Sequence, residues 1–192
     1  MRRCSSRNLW TREAIGAKNI DLLSANKYTI NRFSGRVMGI DPSLRGTGIA
    51  VVDIYKSQEA QLVFSKTLKM APRYSQSECV LKISDDIYAS CCEYEPCVAA
   101  MEQTIYVQNF QTAQILGLAR GAAMASLARK RVLLYEYAPL RIKQAVVGFG
   151  RAKKEQVSAM VKSILKLEKE LPFDESDACA VALCHAFSFR IS

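Results

Sequence analysis

Val98, Ala99, Ala100 and Met101 form an unbroken apolar run that follows Pro96 and stops at Glu102. A short run of this kind reads as a strand covered on both faces, because a strand with one wet face would alternate apolar and polar residues. Such a strand belongs in a sheet flanked by helices on both sides. Glu102 arrives where the strand leaves the core, and a carboxylate in that place has little structural reason to be there. The stretch that follows is rich in small residues. Gly117, Ala119, Gly121, Ala122, Ala123 and Ala125 predict a helix that another backbone can approach closely, with Arg120 and Arg129 supplying positive charge nearby. A strand-end carboxylate beside a basic surface suggests metal-assisted work on phosphate, provided that more carboxylates converge there.

The rest of the chain supplies the elements that such a sheet needs. Val37 to Asp41 and Gly48 to Ile54 flank Pro42 to Thr47, whose Pro and Gly predict a turn between antiparallel neighbours. A third strand fits Gln61 to Lys69. Ser75 is placed as the N-cap of a helix that turns Val80, Ile83 and Ile87, flanked by Leu81 and Tyr88, toward a core and leaves Lys82, Asp85 and Asp86 to solvent. Val132 to Tyr137 reads as a further strand before Pro139, and Gly148-Phe149-Gly150 as a loop. A helix over 153–168 follows, with Val157, Met160, Val161, Ile164 and Leu165 on one side, and a last helix runs from near Asp174 to Phe187. Three strands first, then alternating helix and strand, imply an α/β fold with one mixed central sheet flanked by helices.

A length of 192 residues suits one domain, and a net charge of +9 points to a polyanionic partner, nucleic acid before an anionic membrane. No apolar run approaches the roughly 18 residues that a membrane span needs. The seven cysteines include no CxxC pair, which reads as a reduced, cytoplasmic protein with no zinc site, and adjacent Cys91 and Cys92 read as ordinary helix residues. Residues 1–36 hold eight Lys or Arg against Glu13 and Asp21, a net of +6. They read as an appended basic extension: an arm touching nucleic acid, a targeting segment, or a start codon placed too early. The folded domain is expected over 37–190.

Four carboxylates fall at element ends in this reading: Asp41, Glu102, Asp174 and Asp177. Residues three apart on a helix lie about 60° apart around its axis, so Asp174 and Asp177 share a face. At a helix N-terminus the backbone dipole favours their charged forms. Asp174 could instead serve as an N-cap, and Asp41 before Pro42 could start a turn. A cluster of four would repel itself unless divalent cations such as Mg²⁺ or Mn²⁺, which take hard oxygen ligands, bind among them. His185 lies more than two helical turns beyond Asp177, too far to join such a site.

The same residues carry a resemblance. Gly39-Ile40-Asp41-Pro42-Ser43, Glu102-Gln103, the run Leu116 to Gly121, the run Lys143 to Gly148, Lys154-Glu155-Gln156-Val157 and Asp174 to Ala178 resemble, in order and spacing, the motifs of the bacterial RuvC Holliday junction resolvases. The resemblance covers 37–187. It implies an RNase H-like fold, a homodimer acting on four-way junction DNA in recombination and repair, and two Mg²⁺ ions held by Asp41, Glu102, Asp174 and Asp177, with Mn²⁺ as a substitute. It further implies that Lys143 contributes to catalysis, that Lys143 and Lys154 meet DNA phosphate, and that a branch-migration complex of the RuvA and RuvB kind is a possible partner in a nucleoid-associated role. Arg120 and Arg151 are further expected DNA contacts. Where the family has Phe three residues after the strand-end Glu, this chain has Ile105 followed by Tyr106, and the side chain that enters opened DNA is expected at one of them.

Two other classes fit parts of the pattern. Asp41 to Gly48 also resembles the phosphate loop of actin-like and sugar-kinase ATPases, although those enclose ATP between two such domains. A non-catalytic junction-binding module would need the carboxylates broken, and all four are present.

Overall fold

The computed structural model describes residues 32–104 and 109–189. Strands β1 (Gly35–Asp41), β2 (Gly46–Ile54) and β3 (Ala60–Lys69) come first. Helix α1 (Gln76–Tyr94), strand β4 (Val98–Glu102), helix α2 (Phe110–Arg129) and strand β5 (Leu133–Tyr137) follow in alternation, and three helices close the chain: α3 (Pro139–Val147), α4 (Lys154–Ile164) and α5 (Phe173–Ser188). The five strands form one mixed sheet in the order β3-β2-β1-β4-β5. The first three are antiparallel neighbours, whereas β1, β4 and β5 run parallel, with α1 and α2 making the crossovers that parallel pairing requires.

Both faces of the sheet are covered, which explains why its central strands are apolar throughout. Met38, Ile40, Ile49, Val51, Ala99 and Met101 pack with residues of α1 and α2. Their neighbours Val37, Ala50, Val52, Ile54 and Ala100 pack with α3, α4 and α5 on the other face. This two-residue alternation fixes where the strand ends point. Asp41 lies two beyond Gly39, and Glu102 two beyond Ala100, so both carboxylates belong to the face that carries α5.

Local chemistry sets the helix ends. Ser75 caps α1, and a reciprocal bond between Glu78 and the Ser75 backbone completes a capping box. Leu81, expected to pack inward, is exposed instead. Helix α3 has no counterpart in the sequence reading, which placed a strand before Pro139 and a loop at Gly148 to Gly150 and nothing between. Proline is favoured in the first turn of a helix, Ile142 and Val146 are buried four residues apart, and Gly148 closes the helix at φ 93°. Helix α4 stops at Ile164, short of the expected 168, where Lys166 turns left-handed at φ 53°.

The packed unit reaches back past Val37. Phe33 is 7% exposed and sits edge-on to the His185 ring, 4.8 Å between centroids. Arg36 pairs with Asp53 at 2.7 Å and donates to the Tyr94 carbonyl at 2.8 Å. Residues 1–31 of the expected extension lie outside the described residues. No helix among those described is long and apolar enough to cross a membrane.

Helix α5 lies against the sheet backbone to backbone. A methyl carbon placed on Gly39 would be 1.9 Å from the Ala178 carbonyl oxygen, and one on Gly48 would be 2.0 Å from that of Asp174. No side chain fits at either position. Replacing Gly39 or Gly48 with Ala must push α5 off the sheet, and the expected cost is about 3 kcal/mol of stability, the upper end for overpacking because main chain has to move. Chemical denaturation of each variant measures it. A midpoint unchanged from wild type would show that α5 is seated by other contacts.

Candidate active site

The C-terminal ends of β1 and β4 are adjacent, because Ile40 pairs with Met101 in the parallel register. Asp41 and Glu102 therefore stand side by side as their strands leave the core. Helix α5 enters above them. Its N-cap is Pro172, with no side-chain bond, and Asp174 is the second helical residue rather than the cap. One turn of α5 carries Asp174 and Asp177, and the seat on Gly48 holds the Asp174 backbone directly over β2. Asp41, Glu102 and Asp177 line one cleft with Pro139, Lys143 and Lys154.

Electrostatics show how close these groups are. The Asp41 carboxyl is pushed from 3.8 up to about 7, first by burial, then by the charges of Asp177 and Glu102, with a smaller push from Asp174; Lys154 opposes them. Glu102 is raised as well, by burial and then by Asp177, against Lys154, Lys143 and Arg120. Lys154 donates to Asp177 Oδ2 at 3.0 Å, and that bond holds its ammonium protonated. Among the described residues, no group of three or more His, Cys, Asp or Glu stands at metal-binding distance. The donor set fits a hard divalent cation: the groups are oxygens, anionic, and partly buried in a cleft where water can complete the coordination.

Two expected DNA contacts differ in their surroundings. Arg151 is exposed. Arg120 faces inward, its side chain 15% exposed, donating through Nη1 to the Glu102 carbonyl at 2.6 Å and through Nη2 to the Glu136 carboxylate. Its fork ties α2 to the ends of β4 and β5, beside an opening that it lines with Asp41 and Glu102. Only a contact map could reveal that Glu136, sixteen residues on, and a strand-end carbonyl occupy the guanidinium. Ile105 and Tyr106 lie outside the described residues. His185 is fully buried, accepts or donates at Nδ1 with the Tyr137 hydroxyl at 2.8 Å, and is pushed down to about 4 by burial. The turn after Asp41 is closed on itself, Thr47 Oγ1 bonding both the nitrogen and the carbonyl of Ser43.

A mixed sheet in this strand order, with carboxylates at the ends of its two central parallel strands and on the helix above them, defines a nuclease of the RNase H-like fold. The sequence model described as crossover junction endodeoxyribonuclease RuvC matches residues 37–185, and the chain belongs to the RuvC family. The Bordetella parapertussis crossover junction endodeoxyribonuclease is 42% identical over 151 residues, covering 79% of this chain and 82% of that protein. The Caldicellulosiruptor saccharolyticus relative is 34% identical over 154 residues, 80% of this chain and 93% of its own. The structure of T. thermophilus RuvC in complex with a Holliday junction substrate superimposes with a TM-score of 0.76 at 32% identity, covering 80% of this chain and 93% of that one. The yeast mitochondrial Holliday junction resolvase shares the fold at a TM-score of 0.57 and 14% identity, covering 82% of this chain and 81% of its own. Divalent-metal dependence is general in the RuvC family.

The raised Asp41 carboxyl has a thermodynamic consequence. The folded state binds this proton more tightly than the unfolded state, so its contribution to stability is full below about 4 and is lost as pH rises through about 7. Without divalent cation, the melting temperature is expected to fall between pH 5 and pH 8 by more in the wild type than in Asp41→Asn. Added Mg²⁺ should raise it more at pH 8, where it does not compete with a proton. Calorimetry across that range checks both, and equal pH profiles for the two proteins would remove Asp41 from the cluster.

Proposed function

We propose that this chain resolves four-way DNA junctions by paired, symmetric phosphodiester hydrolysis, with Mg²⁺ as the working ion and Mn²⁺ as a substitute. The observation that carries this reading is the convergence of Asp41, Glu102 and Asp177 in one cleft with Lys143 and Lys154, and with Asp174 one turn away on α5. Its family membership places the reaction in recombination and repair. The reading extends to nucleoid-associated work in the cytoplasm beside a branch-migration complex of the RuvA and RuvB kind.

Two divalent ions held by the four carboxylates would polarise the scissile phosphodiester and supply hydroxide for in-line attack. Asp41, which feels the charges of both Asp177 and Glu102, would be one of the residues holding the ions. Lys143 and Lys154 extend from α3 and the start of α4 into the same cleft, where their ammonium groups offset charge gathering on the phosphate oxygens. Lys154, which bonds Asp177 at 3.0 Å, would be free to turn to phosphate if a cation took up the Asp177 charge. Arg151 is exposed and would add backbone contact without base discrimination. Ile105 or Tyr106 follows Glu102 closely enough in sequence to enter the opened crossover.

Asp41→Asn or Glu102→Gln is expected to lower junction cleavage by at least about a hundredfold while leaving junction affinity within a factor of about two, since affinity comes from Lys and Arg on phosphate. Cleavage of a four-way junction and of linear duplex, beside binding in EDTA, measures both. Near wild-type cutting by either variant would overturn the assignment.

Paired cuts call for two copies of the site. Ala119, Ala122 and Ala123 of the small-residue helix face the chain's own core, so they do not form the open surface expected of them. Ile115, Leu118 and Met124 are exposed, and a side chain added at Gly117 or Gly121 would meet nothing within 4 Å. This outward face of α2 is the proposed homodimer interface. Leu118→Glu should yield a monomer by light scattering, with stability changed by no more than about 0.5 kcal/mol. A dimer that survives the substitution would move the interface elsewhere.

A further inference from the structure

The start of α5 carries two of the proposed metal ligands, Asp174 and Asp177, and no side chain caps it. Its N-cap makes no side-chain bond, and Phe173 is exposed. Besides the bond from Lys154 to Asp177, two tertiary contacts hold it. One is the seat of the Asp174 carbonyl on Gly48. The other is Glu175, whose Oε2 accepts from Ser65 Oγ at 2.6 Å and whose Oε1 accepts from Thr67 Oγ1 at 3.3 Å.

The geometry of this second contact follows from the sheet. Ser65 and Thr67 are two apart on β3 and so share a face, and their partners on β2 are Ala50 and Gly48. Those small residues leave a passage across β2, through which the Glu175 side chain reaches β3. A carboxylate that accepts two hydroxyl bonds on neighbouring positions of one strand is held in orientation as well as distance. Glu175 is absent from the lining of the cleft that holds Asp41, Glu102 and Asp177.

We propose that Glu175 is a positioning residue: its paired hydrogen bonds to Ser65 and Thr67 set the rotation of the first turn of α5, and thereby where Asp174 and Asp177 face Asp41 and Glu102. The proposal rests on the four-carboxylate metal reading above. The backbone seat and the packing of α5 against the sheet, α3 and α4 hold the body of the helix, and the Glu175 bonds tie its first turn sideways to β3. Ligand oxygens must be placed within about 0.5 Å for a productive site, so loss of the bonds shows in metal binding before it shows in DNA binding.

The test compares wild type with Glu175→Ala, Glu175→Gln, the pair Ser65→Ala with Thr67→Val, and all three positions changed together. Three quantities are read: the Mg²⁺ concentration that half-saturates junction cleavage, the rise in melting temperature produced by Mg²⁺ without DNA, and junction affinity in EDTA. Glu175→Ala and the hydroxyl-less pair should each raise the half-saturating Mg²⁺ by about tenfold and shrink the Mg²⁺-induced rise, with junction affinity within about twofold. The triple change should add nothing, because one interaction has been removed from either end. Glu175→Gln keeps an acceptor for Ser65 and a donor for Thr67 while losing the charge, and it should stay within about threefold of wild type. If Glu175→Gln is as impaired as Glu175→Ala, charge rather than orientation is at work and the proposal fails. It fails also if the hydroxyl-less pair, which leaves α5 untouched, behaves as wild type. Asp174→Asn run alongside separates the two readings: an unchanged Mg²⁺ requirement there would sink the metal site itself, whereas its loss with normal Glu175→Ala would sink only this inference.

Discussion

The contact of one helix backbone with two glycines governs this molecule. Because nothing larger than hydrogen stands at Gly39 and Gly48, α5 rests on the sheet at carbonyl distance, and Ala178 and Asp174 are the residues that touch. Every later feature of the site inherits that height. Asp41 lies two residues past Gly39 on the same strand face, and Glu102 lies beside it on β4, so a helix seated so low brings a third and a fourth carboxylate to the strand ends. With a side chain at either glycine the helix would ride higher, and the carboxylates would face solvent rather than one another.

The second organising force is repulsion. Asp41 is raised to about 7 first because it is buried away from water and then because its neighbours carry its own sign. Folding must hold those groups together against that preference. Packing of α5 between the sheet and helices α3 and α4 provides the hold, in a cluster built from Ile142, Val146, Val157, Val161 and the small residues of α5. Lys154, Lys143 and Arg120 moderate the charge at Glu102, and Arg120 also donates to its strand-end carbonyl. Cations at the site thus answer an imbalance that the protein's own lysines leave incomplete.

Much of this was legible from residues alone, and what was hidden has a common cause. Glu102 stood out because an apolar run ending in a carboxylate is uncommon for structural reasons, and Asp174 with Asp177 because helical spacing puts them on one face. The mixed sheet followed from the order of runs and breakers. Helix α3 was missed because proline marks both an ending and a beginning, and only the buried pair Ile142 and Val146 with Gly148 settles which. The bonds of Arg120 to Glu102 and Glu136 were hidden because charge in a sequence does not say what will meet it. The inward turn of Ala122 and Ala123, the tight contact at Gly39 and Gly48, and the bonds from Ser65 and Thr67 to Glu175 all join positions far apart in the chain. Periodicity reports which face a residue occupies, and it is silent about which neighbour waits there.

Gly117 and Gly121 sit in mid-helix with open space where a side chain would be, at backbone angles that any residue could adopt. Each costs about 1 kcal/mol of helix stability relative to alanine. A screen for thermostability run on this chain would therefore favour alanine at both positions, and every gain in melting temperature would narrow the groove that a second helix could enter. Robustness of the single chain and closeness of any assembly on this face are opposed objectives here, and they meet at two hydrogen atoms.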